Sequence, residues 1–342
     1  MSVASAPCCE VRKLVRNVPK VSFTPIWYPV DQYATSRLRA KYVVELLAGD
    51  PVWDVELTHD PTADIAVIVQ LCSDQTLESV SRNRRQIVVY DVCDRFFATD
   101  NIFKTDEGVL HARRRCLEVI DRADVLMAPT MRLRNELADL FPGKPCFYIP
   151  ESIDYRVSPR PATAVGSRRL VWFGHVTRGN FESARWIIDY LKSHYEYEPV
   201  LVTTPNTLSH NFPAYSPFCV PWSVENVQRE LSMAELCVVS HAADEPTKSP
   251  NRFVAAMMHG VPTLVSGSPA CSEILSAAAH DMFAVETPYA LGRAVRELSD
   301  PDKRRSYVQD VQLEMWRRHS PEVVRRAYVE LFERLLPGND NY

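Results

Sequence analysis

The sequence predicts an α/β protein made of two parallel-sheet domains facing each other across a cleft, and three observations carry that prediction. Short apolar runs of strand length alternate with helix-period segments along most of the chain. Those runs are continuously apolar, the pattern of strands covered on both faces. The series breaks once, over 150–167, where four prolines or glycines lie among small and charged residues, and then restarts.

In chain order, the first half reads as a strand over 21–27, a helix over 36–48 and short strands over 52–58, 64–70 and 86–90. Leu38, Tyr42, Leu46 and Leu47 share one face of that helix. A helix over 106–122, a strand over 124–128, a helix over 131–140 and a strand over 146–149 complete this half. The second half opens with a strand over 169–173 and a helix over 181–195. Strands over 199–203, 218–221, 235–240 and 261–265 follow, with helices over 224–231, 251–259, 287–299 and 321–336. We therefore expect a first domain over 1–155, a linker over 156–168 and a second domain over 169–320. A C-terminal helical segment, 321–342, is placed to pack back on the first domain.

A chain of 342 residues exceeds the usual size of one domain, roughly 100–200 residues. Its 46% hydrophobic and 24% charged residues match an ordinary soluble globular protein. A net charge of −4 argues against a nucleic-acid partner, which calls for a basic excess. No apolar run approaches the ~20 residues that span a bilayer. Residues 1–20 carry scattered charges and lack the apolar centre of a signal peptide, so a cytosolic protein is expected. The 9 cysteines are odd in number, irregularly spaced and without a C-x-x-C pair, which points to reduced thiols. Nor is there a His-x-x-x-His pair or a Cys/His cluster of zinc spacing, so no metal is expected.

Three segments carry the chemistry. Lys248-Ser249-Pro250-Asn251-Arg252 follows a buried strand and a charged loop and opens an amphipathic helix closed by Gly260-Val261-Pro262. Pro250 suits the first helical turn and Ser249 an N-cap. The uncapped amides of that turn, with Lys248 and Arg252 beside them, form an anion site. An ordinary capped helix with two solvated cations has the same pattern. At the second segment, Gly174 ends a strand and permits close backbone approach, with His175 next and Arg178-Gly179 before the following helix. That arrangement suits a diphosphate, although such turns also occur for purely structural reasons. The third segment is Asp91-Val92-Cys93-Asp94-Arg95, two acids just past a strand's carboxyl end. Its spacing is D-x-x-D and not the D-x-D that holds a metal-diphosphate, and a structural ion pair with Arg95 stays open.

Together these segments resemble the GT-B glycosyltransferases, whose two Rossmann-like domains face across a cleft, and especially the family-4-like retaining group. The resemblance rests on Ala123–Thr130, Tyr148-Ile149-Pro150-Glu151-Ser152-Ile153-Asp154, Leu170–Gly174, Glu235–Ser240, Lys248–Arg252, Ala255-Ala256-Met257 and Gly260-Val261-Pro262. It covers about residues 85–290, with a weaker match at Ser36–Ala40, and the donor block is its specific part. The group's donor helix begins in a loop bearing two glutamates, and this chain has Thr247 and Ala255 there. A subgroup with a K-S-x-N-R block is the nearer likeness.

The resemblance implies transfer of a sugar from a nucleoside-diphosphate sugar, a UDP- or GDP-sugar, to a glycan, lipid-linked or small-molecule acceptor, with retention and no bound cofactor. It implies catalytic roles for Arg178, Lys248 and Asp94, and donor contacts from Gly174, His175, Trp222, Glu245, Ser249, Asn251 and Arg252. Asp91 and Arg95 fall on the acceptor side. A nucleotide-sugar epimerase of the same architecture and an inactive partner in a glycan-assembly complex are the alternatives. Two arginine clusters, at 82–85 and 113–115, suit either a solvated helix face or peripheral docking on an anionic membrane. Oligomeric state is not legible.

Overall fold

The structure is a computed structural model and describes residues 18–26, 29–98, 107–154, 156–176, 179–242 and 245–336. Its first sheet contains β1 (Lys20–Pro25), β2 (Asp54–Glu56), β3 (Ile65–Val69), β4 (Ile87–Asp91), β5 (Val125–Ala128) and β6 (Cys146–Tyr148), in the order β2-β1-β3-β4-β5-β6. The second contains β7 (Arg169–Phe173), β8 (Glu198–Thr203), β9 (Cys219–Pro221), β10 (Leu236–Ser240) and β11 (Thr263–Ser266), in the order β11-β10-β7-β8-β9. All neighbouring strands are parallel. The continuous runs IAVIV in β3 and LCVVS in β10 are buried along their whole length, as central strands covered on both faces must be.

The helices around the first sheet are α1 (Ala34–Ser36) and α2 (Tyr42–Leu47), joined by a π-helical stretch Arg37–Lys41, then α3 (Asp74–Arg82), α4 (Glu107–Arg122) and α5 (Met131–Leu140). Around the second lie α6 (Asn180–Tyr195), α7 (Pro205–Asn211), α8 (Val224–Met233), α9 (Asn251–Met258), α10 (Pro269–Ala277), α11 (Pro288–Leu298) and α12 (Pro301–His319), and α13 (Pro321–Leu335) ends the described chain. Side-chain caps define many starts. Ser73, Thr130, Ser223, Thr287 and Ser320 each accept a first-turn amide, and proline occupies the first turn of α10 to α13.

Strand positions agree with the sequence reading in the core and shrink at the edge, where 52–58 is reduced to the three residues of β2. The helices α7, α10 and α12 are additions to it, and α3 fills the stretch between the strands over 64–70 and 86–90. In α12 only Tyr307, Val308, Val311, Gln312 and Met315, with Arg304 and His319, are buried. The charged majority of its residues masks that narrow stripe.

The helix α13 packs on the first sheet and not on the second. Tyr328 and Phe332 stand edge-on to Phe23, with ring centroids 5.8 and 6.4 Å away, and Phe332 meets Trp53 at 5.4 Å. The chain thus passes from the first domain to the second at 149–153 and returns at 319–321. The two crossings bond each other: Ile153 N donates to the His319 carbonyl (2.8 Å), and His319 Nδ1 donates to that of Glu151 (2.9 Å).

The proline-interrupted stretch is strapped to the second domain. Arg160 N donates to the Met258 carbonyl (3.0 Å), and Thr163 N to that of Gly260 (2.8 Å). The Glu235 carboxylate accepts from Gly166 N and Arg168 N at 2.7 and 2.8 Å. Gly260, at φ 78°, passes so close to Pro161 that a Cβ would fall 2.0 Å from its carbonyl oxygen.

Candidate active site

The carboxyl ends of both sheets open on one cleft of about 520 Å³, the position where open α/β sheets bind ligands. From the second domain it is lined by Phe173, Gly174, His175, Asn180, Trp222, His241 and the run 248–252; from the first, by Gln70, Cys93, Asp94 and 151–154. A groove of about 580 Å³ along the strapped linker shares Val157, Val224, Gln228 and His259 with the cleft and so extends it.

The amino end of α9 faces this space. Its first helical bond runs from Val254 N to the Pro250 carbonyl (2.9 Å), so the amides of Asn251, Arg252 and Phe253 have no helical acceptor and form the positive end of the helix. Here the expectation from sequence is corrected. Pro250 sits just before the helix (φ −81°, ψ 16°), and Ser249 does not cap it. The Ser249 hydroxyl instead donates to Glu151 Oε2 (2.6 Å), across the cleft.

Lys248 also reaches across. Its Nζ lies 2.5 Å from Asp94 Oδ1 and 3.6 Å from Glu245 Oε2. The other oxygen of Asp94 accepts from Gln70 Nε2 (2.9 Å). Gln70 has a left-handed backbone (φ 68°), uncommon for a residue with a side chain. Its main chain is held on both sides, the amide donating to the Asp91 carbonyl (2.9 Å) and the carbonyl accepting from Tyr90 Oη (2.5 Å).

Arg252 lines the cleft but commits two of its donors to the protein. It bonds the carbonyl of Phe173 (3.2 Å), at the end of β7, and that of Ser240 (2.5 Å), at the end of β10. It therefore bridges the point where the strand order of the second sheet reverses. Gly174 lies above the guanidinium at φ 144°, and its own amide donates to Val202 O (3.1 Å) in the sheet. Asn180, at the start of α6, accepts from Ala242 N through Oδ1 (3.1 Å), tying that helix to the end of β10. His241 is buried and bonded to Ser268 Oγ (2.8 Å), and burial above all holds its pKa well below the ordinary histidine value. It is neutral at neutral pH.

Asp91, expected on the acceptor side, is elsewhere. It is the last residue of β4, and strand alternation turns it to the face beneath α13 and away from the cleft. There it is sealed from solvent in a two-pronged pair with Arg39, whose Nε and Nη2 both lie 2.8 Å from its oxygens. Arg39 Nη1 also bonds the Ile149 carbonyl (2.6 Å). Arg95, also expected there, pairs instead with Glu136 of α5 (2.7 Å) and is not among the cleft residues. The chain turns directly after Asp94, whose carbonyl accepts from Phe96 N (2.9 Å), and the Arg95 side chain leaves the cleft side at that turn. Glu245 touches Lys248 from the loop side, and Trp222 and His175 line the cleft. Arg178 lies outside the described residues.

Glu151 was not singled out as a site residue from the sequence. It stands just past β6, the position that pointed to Asp94 past β4, so the same rule finds it. Its carboxyl is buried, and that burial pushes its pKa up, against the pull of Arg39 and Ser249. Among the described residues no three His, Cys, Asp or Glu side chains are grouped to hold a metal ion, and no helix is long and apolar enough to cross a membrane. In the arginine clusters, Arg82 pairs with Glu78, Arg115 with Asp74 and Glu118, and Arg113 bonds the Phe97 carbonyl (3.3 Å).

Fold and cleft together define a class: two Rossmann-like α/β domains facing across a ligand-sized cleft, the GT-B arrangement. Solved structures share it. The chain is similar to HepE of Anabaena in complex with UDP-glucose (TM-score 0.63, 11% identity, covering 92% of this chain and 99% of that one). It is similar to sucrose-phosphate synthase from Thermosynechococcus elongatus (TM-score 0.63, 11% identity, 93% and 99% covered). A third likeness is to S. aureus TarM, solved as a point mutant with fondaparinux, alpha-GlcNAc-glycerol and UDP (TM-score 0.60, 8% identity, 78% of this chain covered). This chain spans 55% of the length of that TarM chain. No protein-family model matches the sequence. Nor does any curated protein match it.

Proposed function

We propose that this chain is a glycosyltransferase that moves a sugar, with retention at the anomeric carbon, from a nucleoside-diphosphate sugar to an acceptor hydroxyl. One observation carries the reading: the open amides at the start of α9 and the ammonium of Lys248 face the Asp94 carboxylate across a single cleft. A diphosphate fits the first pair of groups and an acceptor hydroxyl the carboxylate. HepE was solved with UDP-glucose and TarM with UDP, and a UDP- or GDP-sugar is the donor we assign here.

The bond from the anomeric carbon to the diphosphate breaks, and its electron pair leaves on the phosphate oxygen. The acceptor oxygen bonds the same carbon on the same face, and its proton passes to Asp94. No protein nucleophile takes part. Negative charge grows on the leaving diphosphate, so the principal catalytic contribution is charge stabilisation, which we assign to Lys248, the α9 amides and Arg178. Arg252 holds the strand ends that present the site, and Trp222 offers an aromatic face for the base. The groove along the linker gives an extended acceptor room.

Several carboxyls around the cleft, Asp94, Glu151 and Asp154, favour nucleotide-sugar epimerisation as a second reading. An epimer appearing from UDP-N-acetylglucosamine without any acceptor would select it.

The test is a thermal-shift screen of nucleotides and nucleotide sugars. A ligand at about 100 times its Kd adds ~2.7 kcal/mol to the native state, a readable rise in Tm. Transfer is then assayed with the donor that shifts Tm most. If no nucleoside diphosphate or nucleotide sugar raises Tm, the proposal falls.

A further inference from the structure

Three consecutive residues of the second domain are each tied to a different strand end of the first. The Thr247 carbonyl accepts from Thr130 Oγ1 (3.0 Å), just past β5. Lys248 pairs with Asp94 (2.5 Å), past β4, and the Ser249 hydroxyl donates to Glu151 (2.6 Å), past β6. The backbone leading into α9 is thereby pinned on both sides of Lys248. That residue's contact differs in kind, because it joins the two groups that the proposed reaction needs for separate tasks.

Both oxygens of Asp94 are engaged, one by Lys248 and one by Gln70. In this state the carboxylate is paired with a cation that lowers its basicity, and an acceptor hydroxyl would have to share Oδ1 with Lys248. The Lys248 ammonium is correspondingly held by carboxylates, Asp94 at 2.5 Å and Glu245 at 3.6 Å. The pair is neither sealed nor fully wet, with side chains 24% and 16% exposed, so an entering anion reaches it and the local dielectric lets it compete.

We propose that the Lys248–Asp94 pair is a latch that sets the order of substrate engagement, and this rests on the reading that the cleft takes a nucleoside diphosphate. The diphosphate draws Lys248 onto itself, since a phosphate offers several charged acceptors to one ammonium. Asp94 Oδ1 is thereby released toward the acceptor, while Gln70 keeps Oδ2 and the orientation of the carboxylate. Donor must then bind before acceptor, and a cleft without donor presents no active base to water or to an acceptor.

The sign of one substitution tests this. Breaking the pair is part of the cost of donor binding, so removing its acidic half must tighten binding. Asp94→Asn is expected to lower the Kd for UDP by a factor on the order of 5–10, while lowering the transfer rate. Lys248→Ala is expected to raise that Kd at least about tenfold. In the Lys248→Ala background, Asp94→Asn is expected to leave Kd within about twofold. Asp94→Ser is the second variant if Asp94→Asn lacks a cooperative unfolding transition.

Each outcome assigns the fault. If the wild type binds neither UDP nor GDP, or Lys248→Ala leaves the Kd of the nucleotide that binds unchanged, the phosphate reading fails and the latch with it. If Lys248→Ala weakens UDP binding but neither Asp94 variant tightens it, the latch alone is overturned. Tightening that persists without Lys248 also overturns the latch, because it reports general repulsion between Asp94 and phosphate. Initial-rate kinetics with wild-type enzyme add a check: acceptor-first binding is incompatible with the latch.

Discussion

The guanidinium of Arg252 lies directly beneath Gly174, so close that a Cβ on the glycine would come within 2.8 Å of Nη1. The same guanidinium holds the carbonyls of Phe173 and Ser240, on adjacent strands. Gly174 also has φ 144°, a conformation that side chains disfavour. Gly174→Ala should therefore destabilise the protein by about 1–3 kcal/mol and displace Arg252 from the strand ends. Urea unfolding reads the first effect, and UDP affinity of the folded variant, which should fall, reads the second. A variant with wild-type stability and affinity would refute the close packing.

Asp91 and Asp94 lie close in sequence but have different tasks. Asp91 is sealed with Arg39, and leaving either charge alone in that interior should cost about 3–5 kcal/mol. Asp91→Ala is expected to lose that much stability in denaturant while the fraction still folded keeps its UDP affinity. Asp94→Asn should show the opposite: nearly unchanged stability and altered function.

The terminal helix contributes to the core of the first domain. Phe332 is fully buried against Phe23 and Trp53. Phe332→Ala should cost about 3–5 kcal/mol, read as a lowered urea midpoint. If α13 were a loosely attached tail, the midpoint would stay within error.

His319 should make stability fall with acid. Burial brings its pKa down from the ordinary 6.5 to about 4, against the opposing hydrogen bond to the Glu151 carbonyl. Between those values the unfolded chain binds a proton that the native protein refuses, so the contribution is full above 6.5 and is lost as pH falls toward 4. His319→Asn keeps a donor for that carbonyl and has no titrating group. Its Tm should fall less steeply than that of the wild type over this range. Parallel curves would remove His319 as the cause.

The relation of sequence to site is uneven, and the reason is visible in particular residues. Lys248, Asp94, Gly174, His175 and Trp222 all line the cleft, because strand ends and helix starts can be located from hydrophobic period and glycine or proline punctuation. Asp91 follows the same rule and yet faces the interior, because the exact last residue of β4 decides which face an odd or even position takes. Ser249 reads as a helix cap from local spacing. Its real partner, Glu151, is 98 residues away, and no local pattern reports it.

By itself the sequence determined the alternation of buried strands and helices, the two-sheet division and the approximate place of each strand, since all of these follow from periodicities of a few residues. Tertiary structure alone decided which aromatic rings α13 meets on the first sheet, that Arg39 claims Asp91 and that Lys248 rests on Asp94. The last of these joins residues 154 positions apart and depends on how the two sheets face each other. Charge and burial at such contacts are set by what lies across the cleft, and a one-dimensional pattern contains no distance across space.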